Sequence, residues 1–465
     1  MFRFGKYERE EPAAGPEKGV NEMSWELFDA LPEENIVFSP FGIYSAFSLL
    51  LNGAAEGSGA YGEVSDLLRN SDREELNGFI SSVSSMPADR MEFGFHNLVL
   101  ADSGTVKKNP VNKEFEKTAS GVYGSAVRVA DFRNKCEEVR EMIREWVRKT
   151  TRDMIPDYEP AADSDTVCSI LNVVYLKARW AFPFSPRATS ASAFTNSDGS
   201  SVSVRMMYKR LDFGGCYYSD GKFRGLSFPY AQEGAEMFFI LPASGGTDIL
   251  ELWKSESAEY REDFLGILRN SRVSGCVKFW LPKLDLAASY DLKEIMKTAG
   301  RGSLFSDTVL FKKIIDGCPL YVDGAKHESR ITVDEDGTEA AAVTEICMAL
   351  GACAPDRSSP VEFRCNVPFI FVLSYRGISL FAGYAGKLEN AEDGGSGKTG
   401  KMRRGGIPVR SIEILPGVRI TSDRCLILDE GPTMVLGDLH LGYERALENE
   451  GVYLPRINTD SIRES

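Results

Sequence analysis

The sequence is short of histidine, of positive charge and of long apolar segments. Only three of its 465 residues are histidine, and 54 Lys and Arg face 68 Asp and Glu, which gives a net charge of −14. Because phosphate groups are bound by clustered Lys and Arg, this balance argues against nucleic acid and against anionic membrane surfaces as partners. No apolar stretch reaches the length of a membrane helix. The nearest, residues 36–51, is interrupted by Pro40 and Gly42, which favours a buried strand that leads into a helix.

The cysteines and the N-terminal residues favour a reducing compartment. The nine cysteines are odd in number, are spread along the chain and lack the paired spacing of zinc ligands. Residues 1–19 contain no apolar core of signal-peptide length. We therefore expect free thiols, a cytoplasmic protein and no cofactor, with secretion as the alternative.

What the chain does have is material for a large core, with 43% hydrophobic and 26% charged residues. Residues 21–160 are mostly helical by pattern, including the amphipathic stretch 134–149, whereas residues 168–178 alternate and are rich in β-branched side chains. A further helix is predicted at 249–270, and strands are predicted within 200–245, 275–285 and 360–388. Helices and strands without regular βαβ alternation indicate an α+β fold.

Residues 333–344, VDEDGTEAAAVT, are the most informative segment. It begins as an acidic, turn-prone stretch and continues into three alanines, which favour helix over strand. Yet it lies between two strand-like segments. One interpretation is an exposed helix or linker. The other is a segment that changes conformation, because small side chains can enter between two existing strands without clashes.

Together with other motifs, this segment resembles the reactive-loop hinge of the serpins, a family of serine protease inhibitors. The motifs follow one another in the order of that family: residues 35–40 (NIVFSP), 172–180 (NVVYLKARW), 182–184 (FPF), 204–208 (VRMMY), 281–286 (LPKLDL), 290–292 (YDL), 368–371 (PFIF) and 380–383 (LFAG). The resemblance covers about residues 21–389. It implies a serpin-like fold with a large central mixed β-sheet, surrounding helices and an exposed reactive loop.

The resemblance implies a suicide-substrate inhibitor rather than an enzyme. In that mechanism the target protease cleaves the loop and forms an acyl-enzyme, and the loop then inserts into the central sheet. A non-inhibitory serpin is the alternative. The hinge that must enter the sheet is implied to comprise Glu335, Gly337, Thr338, Glu339, Ala340, Ala341 and Ala342.

The family's spacing from Gly337 puts the reactive bond between Gly351 and Ala352, with Met348 and Leu350 as alternative bait residues. None of these residues is basic, so the implied target is a serine protease that accepts small or apolar side chains. The inhibitor is expected to be a monomer.

A second implied set of residues controls the opening of the sheet: Ser39, Asn172, Trp180 and His327. His327 matches a buried histidine that bonds an asparagine of the neighbouring strand, whose place Asn172 occupies. Gly42 stands where a second serine is usual, which leaves this polar network one hydroxyl short and is expected to make opening easier. A catalytic triad is disfavoured because no Gly-X-Ser-X-Gly elbow accompanies the histidine.

The C-terminal part has a different composition and a different resemblance. Residues 390–406 are rich in Gly, Ser, Lys and Glu, as in a linker, and residues 433–444 (TMVLGDLHLGYE) resemble the first motif of calcineurin-like metallophosphoesterases. Asp438 and His440 could converge on one metal ion, but no histidine follows to complete a site. We predict an N-terminal extension (1–20), a serpin domain (21–389), a linker (390–406) and an incomplete, inactive phosphoesterase-like fragment (407–465). An active phosphoesterase is the least favoured alternative.

Overall fold

The computed structural model describes residues 15–391, except 33, 86–90, 108, 157, 161, 212–215, 273–275 and 339–359. It also describes the backbone of residues 411–415, 418–421 and 426–428. The chain divides into two compact units, Met1–Ala391 and Glu392–Ser465. In the second unit the described residues form an antiparallel sheet of three strands, Ser411–Leu415, Val418–Thr421 and Leu426–Leu428.

Helices surround the sheets of the first unit. Among the described residues the α-helices are α1 Pro16–Ala30, α2 Pro40–Gly53, α3 Gly59–Leu68, α4 Arg73–Ser84, α5 Ser103–Val106, α6 Lys113–Val122, α7 Phe132–Thr150, α8 Ile249–Lys254, α9 Ala258–Asn270 and α10 Leu292–Thr298, with 3₁₀ turns at Pro186–Ala188 and Gly302–Phe305. None of these helices combines the length and the apolar character needed to cross a membrane.

The strands described in the first unit form three sheets. The central sheet has the order β11-β12-β13-β4-β2-β3 and consists of β2 Met91–Asp102, β3 Ala126–Ala130, β4 Cys168–Arg179, β11 Leu284–Asp291, β12 Gly324–Val333 and β13 Gly337–Thr338. The core sheet has the order β1-β16-β15-β9-β8-β7, from β1 Ile36–Phe38, β7 Cys216–Ser219, β8 Phe223–Pro229, β9 Ala235–Pro242, β15 Phe369–Tyr375 and β16 Ile378–Ala385. The third sheet has the order β14-β10-β6-β5, from β5 Ser190–Thr195, β6 Ser201–Leu211, β10 Val277–Pro282 and β14 Val361–Arg364. This architecture confirms the predicted α+β fold with a large mixed sheet.

The centre of the central sheet is a seam between β4 and β12. These two strands pair in parallel from Gly324↔Ser169 to Ser329↔Val174, while β2 and β11 flank them in antiparallel fashion. Beyond the pair Ser329↔Val174, toward Val333 and Arg179, the two strands diverge. The two-residue strand β13 lies between them there and is antiparallel to both. The central sheet is therefore partly open at one end.

The sequence prediction was right for β4 and wrong for β2. Residues 168–178 were predicted as a strand, and β4 runs from Cys168 to Arg179. Residues 91–102 fall in the region predicted as mostly helical, yet they form the longest partner of β4. Both faces of β2 are buried, one against the aromatic ring of Phe41 on α2 and the other in a cluster with α7. A strand covered on both faces loses the alternation on which the prediction depended.

One helical prediction needs adjustment, whereas the strand-to-helix prediction for residues 36–51 is confirmed. The helix predicted at 249–270 is two helices, because Ser257 caps a new helix by accepting a hydrogen bond from the amide of Tyr260. The apolar run 36–51 is strand β1 followed by the buried helix α2, whose N-cap is Ser39 and whose first residue is Pro40. This arrangement carries α2 under the central sheet and puts Ser39 beside the seam.

Candidate functional site

A buried histidine spans the seam in the middle of the central sheet. His327 on β12 is in register with Asn172 on β4, and its Nδ1 lies 2.7 Å from Asn172 Oδ1. The backbone amide of Ser39 donates to His327 Nε2 over 3.0 Å. Because Nε2 accepts this bond, the proton of the neutral ring is on Nδ1, which donates to the asparagine. The structure thus brings together three of the four residues implied to control opening.

The network extends to residues that sequence reasoning missed. Asn172 Nδ2 donates to Asn97 Oδ1 over 2.7 Å, and Asn97 in turn donates to Ser125 Oγ over 3.2 Å. Both asparagines and the histidine have no exposed surface. Asn97 lies directly opposite Asn172, and this pairing carries no signal in the sequence, since Glu92 and His96 are further polar residues of β2. We call Ser39, Asn97, Asn172 and His327 the histidine cluster.

Gly42 contributes close packing in place of a hydroxyl. A Cβ atom at this position would lie 2.4 Å from Val174 Cγ2 and 3.0 Å from Asn172 Oδ1. The Gly42 amide donates to Ser39 Oγ over 3.0 Å. The space that a serine side chain would need is therefore filled by Val174, and easier opening does not follow from the missing hydroxyl alone.

The histidine cluster has a pH dependence with a definite sign. Burial lowers the pKa of His327 to about 3, against 6.5 for the unperturbed group. The folded protein therefore binds fewer protons than the unfolded chain at intermediate pH. The contribution of neutral His327 to the free energy of unfolding is complete above pH 6.5. It is lost as the pH falls toward 3, by about 1.4 kcal/mol per pH unit.

We expect the melting temperature at a fixed scan rate to fall between pH 6.5 and pH 4, and to fall less in His327→Gln, which has no proton to gain. His96→Gln is the comparison variant: burial also lowers the pKa of this partly buried histidine, so its replacement should flatten the pH dependence as well, but by less than that of fully buried His327. Equal pH slopes for the wild type and His327→Gln would contradict the assignment.

A second cluster closes the open end of the seam. The rings of Trp180 and Tyr230 stack at 4.3 Å, and the Trp180 indole N–H donates to the Asp334 carbonyl over 3.0 Å. The hydroxyls of Tyr230 and Thr338 are 2.6 Å apart, and Thr338 is 1% exposed. Thr338, the second residue of β13, is therefore already buried in the sheet.

The acidic turn before β13 is held by an ion pair and by Gly337. Glu335 accepts from Thr189 Oγ1 over 2.7 Å and pairs with Lys283 Nζ over 2.5 Å. Burial alone would raise the pKa of Glu335, but the hydrogen bonds from Lys283 and Thr189 hold it below its ordinary value. A Cβ atom on Gly337 would lie 2.0 Å from the Ala178 carbonyl oxygen, so only glycine fits there. We call Trp180, Tyr230, Glu335 and Thr338 the hinge cluster; sequence reasoning missed Tyr230 and the partner Lys283.

Several predicted site residues lie outside the described part of the chain. These are the hinge residues Glu339, Ala340, Ala341 and Ala342, the proposed bond Gly351–Ala352, the alternatives Met348 and Leu350, and the metal candidates Asp438 and His440. The described residues thus contain the start of the hinge and the seam below it.

Comparisons of the sequence and the structure with known proteins agree on one family for most of the first unit. The family model described as serpin (serine protease inhibitor) matches residues 18–386. Serpin-Z1C of Triticum aestivum is 30% identical over 75% of this chain and 89% of its own, and leukocyte elastase inhibitor of Bos taurus is 29% identical over 76% and 93%. The crystal structure of Serpin48 from Tenebrio molitor superposes with a TM-score of 0.68 at 25% identity, over 83% of this chain and 100% of that one. The chain therefore belongs to the serpin family.

Proposed function

We propose that this serpin inhibits its target protease by suicide-substrate trapping, in which the cleaved loop inserts at the seam between β4 and β12. As a member of a family of protease inhibitors, the chain acts on proteases and is not itself an enzyme. The observation that supports this mechanism is the position of strand β13 between β4 and β12. Gly337 and Thr338 both pair with β4, and Thr338 also pairs with β12, so the first residues of an inserting strand already occupy its entrance.

Insertion would replace one ladder by two. Below β13, β4 and β12 pair in parallel over six residue pairs, from Gly324↔Ser169 to Ser329↔Val174. A strand that continues β13 downward would be antiparallel to both neighbours and would gain hydrogen bonds on each edge. Each such bond contributes about 1 kcal/mol net. These additional hydrogen bonds would make insertion of the loop energetically favourable once cleavage has freed it.

The histidine cluster lies across the path of that strand. His327 and Asn172 are partners in the parallel ladder, and their 2.7 Å contact must separate before a strand can pass between them. The buried polar groups would then need new partners, because an unpaired buried amide costs about 1–3 kcal/mol. We propose that the cluster sets the barrier to opening, with Trp180 and the hinge cluster at the entrance.

The covalent step belongs to the protease, whose serine would attack the carbonyl of a loop residue and release the new amino end of the next. We propose Gly351–Ala352 as this bond, with Met348 and Leu350 as alternatives. Small or apolar bait suits a serine protease of elastase, subtilisin or chymotrypsin type. The name of the bovine relative, leukocyte elastase inhibitor, supports such a target.

Further parts of the proposal concern the setting. We propose a cytoplasmic monomer, supported by the distribution of the nine cysteines and by the charge of −14. The predicted boundaries at residues 20, 389 and 406 and the inactive C-terminal fragment are retained as proposals. The matched range 18–386 and the separate compact unit Glu392–Ser465 support the boundaries near residues 20 and 389. A non-inhibitory serpin remains the competing function.

The direct test is a panel of elastase, subtilisin and chymotrypsin mixed with the purified protein. We expect at least one covalent complex that survives SDS and has the summed mass of the protease and the cleaved inhibitor. The same protease with its serine chemically blocked should give no complex. Cleavage by every protease with full recovery of active enzyme would favour the non-inhibitory alternative.

A further inference from the structure

The third sheet carries an aromatic and cationic patch on the face that does not contribute to the core. Strand alternation points Val277, Phe279 and Phe363 inward, and none of them is exposed. The opposite face of the same strands presents six residues in register, which we call the outer patch: Tyr208, Arg210, Lys278, Trp280, Glu362 and Arg364.

The patch is organised as two rows across three strands. In the first row the Arg364 guanidinium lies 3.5 Å from the Trp280 ring centroid, and the Trp280 and Tyr208 rings are 4.9 Å apart. In the second row Lys278 Nζ lies 3.3 Å from Glu362, which also accepts from Arg364 over 3.2 Å. The two rows thus contain three cations, Arg210, Lys278 and Arg364, and one carboxylate. That carboxylate, Glu362, pairs with both Lys278 and Arg364.

This composition fits a binding surface better than a structural role. Trp280 and Tyr208 are half-buried although the core side of the sheet is already filled, and the Arg364 and Glu362 side chains are 48% and 46% exposed. Trp, Tyr and Arg are the residues that most often dominate binding energy at protein interfaces. A stacked Arg–Trp–Tyr row also offers a rigid surface at a small entropic cost.

The location and charge of the outer patch indicate what binds there. Strand β14 begins at Val361, two residues beyond the segment 339–359 that contains the proposed reactive bond. The proposed bond Gly351–Ala352 lies nine residues before Val361, so the chain holds a protease bound there within about 30 Å of β14. The patch has an excess of positive charge on a chain of net charge −14, so a complementary surface is acidic.

We propose that the outer patch is a second contact for the target protease and binds an acidic surface beside the protease's active-site cleft. The proposal rests on the inhibitory function proposed above. Charge complementarity of this kind raises the rate of encounter and selects among proteases that could all accept the same bait residues. It does not alter what happens after the acyl-enzyme has formed.

The test measures the second-order rate constant of inhibition and the stoichiometry separately, with the protease that forms the covalent complex in the panel. Lys278→Glu should lower the rate constant roughly tenfold at low ionic strength, and the difference should shrink in high salt. Arg364→Ala should lower it by roughly threefold through the lost cation and stack. Neither variant should change the stoichiometry of inhibition.

Lys297→Glu is the matched control, because Lys297 is an exposed lysine on α10 that also pairs with a glutamate. It should react within about twofold of the wild type. If Lys278→Glu and Lys297→Glu form the complex at equal rates, the outer patch is not a protease contact, while the inhibitory function stands. Equal rates combined with loss of heparin-agarose retention in Lys278→Glu would assign the patch to an anionic polymer and overturn the proposal. Absence of any complex would remove both proposals.

Discussion

Thr338→Arg is expected to convert the protein from an inhibitor into a substrate of the same protease. The variant should still be cleaved in the loop, but the protease should be released active and the stoichiometry of inhibition should rise far above one. Thr338 is 1% exposed, and its hydroxyl is 2.6 Å from that of Tyr230. An arginine in this position would have to remain outside the sheet or bury its charge without a partner.

The size of the effect follows from the competition between insertion and hydrolysis of the acyl-enzyme. Burying an unpaired charge costs several kcal/mol. In the uncleaved variant we expect the arginine to turn out of the sheet, so that this cost is met only when the loop inserts. About 3 kcal/mol in the barrier then slows insertion by about a hundredfold. Hydrolysis, which depends on the protease alone, keeps its rate, so most molecules should end as nicked substrate.

Two variants separate this effect from a general loss of folding. Thr338→Ser keeps a small side chain and the hydroxyl that contacts Tyr230, and it should inhibit like the wild type. Thr308→Arg adds the same charge at an exposed threonine and should also be silent. The readouts are the SDS-stable complex, the stoichiometry and the melting temperature of the uncleaved protein. Unchanged inhibition by Thr338→Arg would mean that β13 does not lead the insertion.

The parts of the fold that could be predicted are those written in contiguous residues. Strand β4, the turn of residues 334–336 and the N-cap Ser39 each depend on neighbours in sequence. In that turn the Asp334 carboxylate accepts from the amides of Asp336 and Gly337. Such contacts leave a local pattern of acidic and glycine residues that can be recognised without the fold.

The parts that could not be predicted depend on strand pairing between distant residues. Asn97 joins the histidine cluster only because β2 pairs with β4 in the register that sets it opposite Asn172. Tyr230 reaches Thr338, and Lys283 reaches Glu335, from other sheets or sheet edges. No local pattern marks these partners, since a tyrosine or a lysine near a strand end has many possible contacts. The same limit applies to the outer patch, whose rows exist only through the register of β6, β10 and β14.

Cleavage of the loop should make the protein more stable, although a cut ordinarily leaves stability unchanged or lowers it by adding freedom to the chain. We expect limited proteolysis within residues 339–359 to raise the melting temperature by on the order of 20 °C. The estimate assumes about ten new ladder bonds at about 1 kcal/mol each, and about 2 °C per kcal/mol for a large domain. The physical cause is the seam, where one parallel ladder from Gly324↔Ser169 to Ser329↔Val174 would become two antiparallel ladders.

The measurement is scanning calorimetry before and after the nick, with the cleaved bond located by mass spectrometry. The nicked Thr338→Arg variant is the internal control: it has the same broken bond, but its hinge should not lead the strand past Tyr230, so its melting temperature should rise little. His327→Gln tests the middle of the path, since weakening the contact with Asn172 should speed the rise without changing its final size. A nicked wild type that melts at or below the intact protein would show that the seam does not accept the loop. The hydrogen bonds of Thr338 would then mark the end of the strand rather than its beginning, and a non-inhibitory serpin would be the better interpretation.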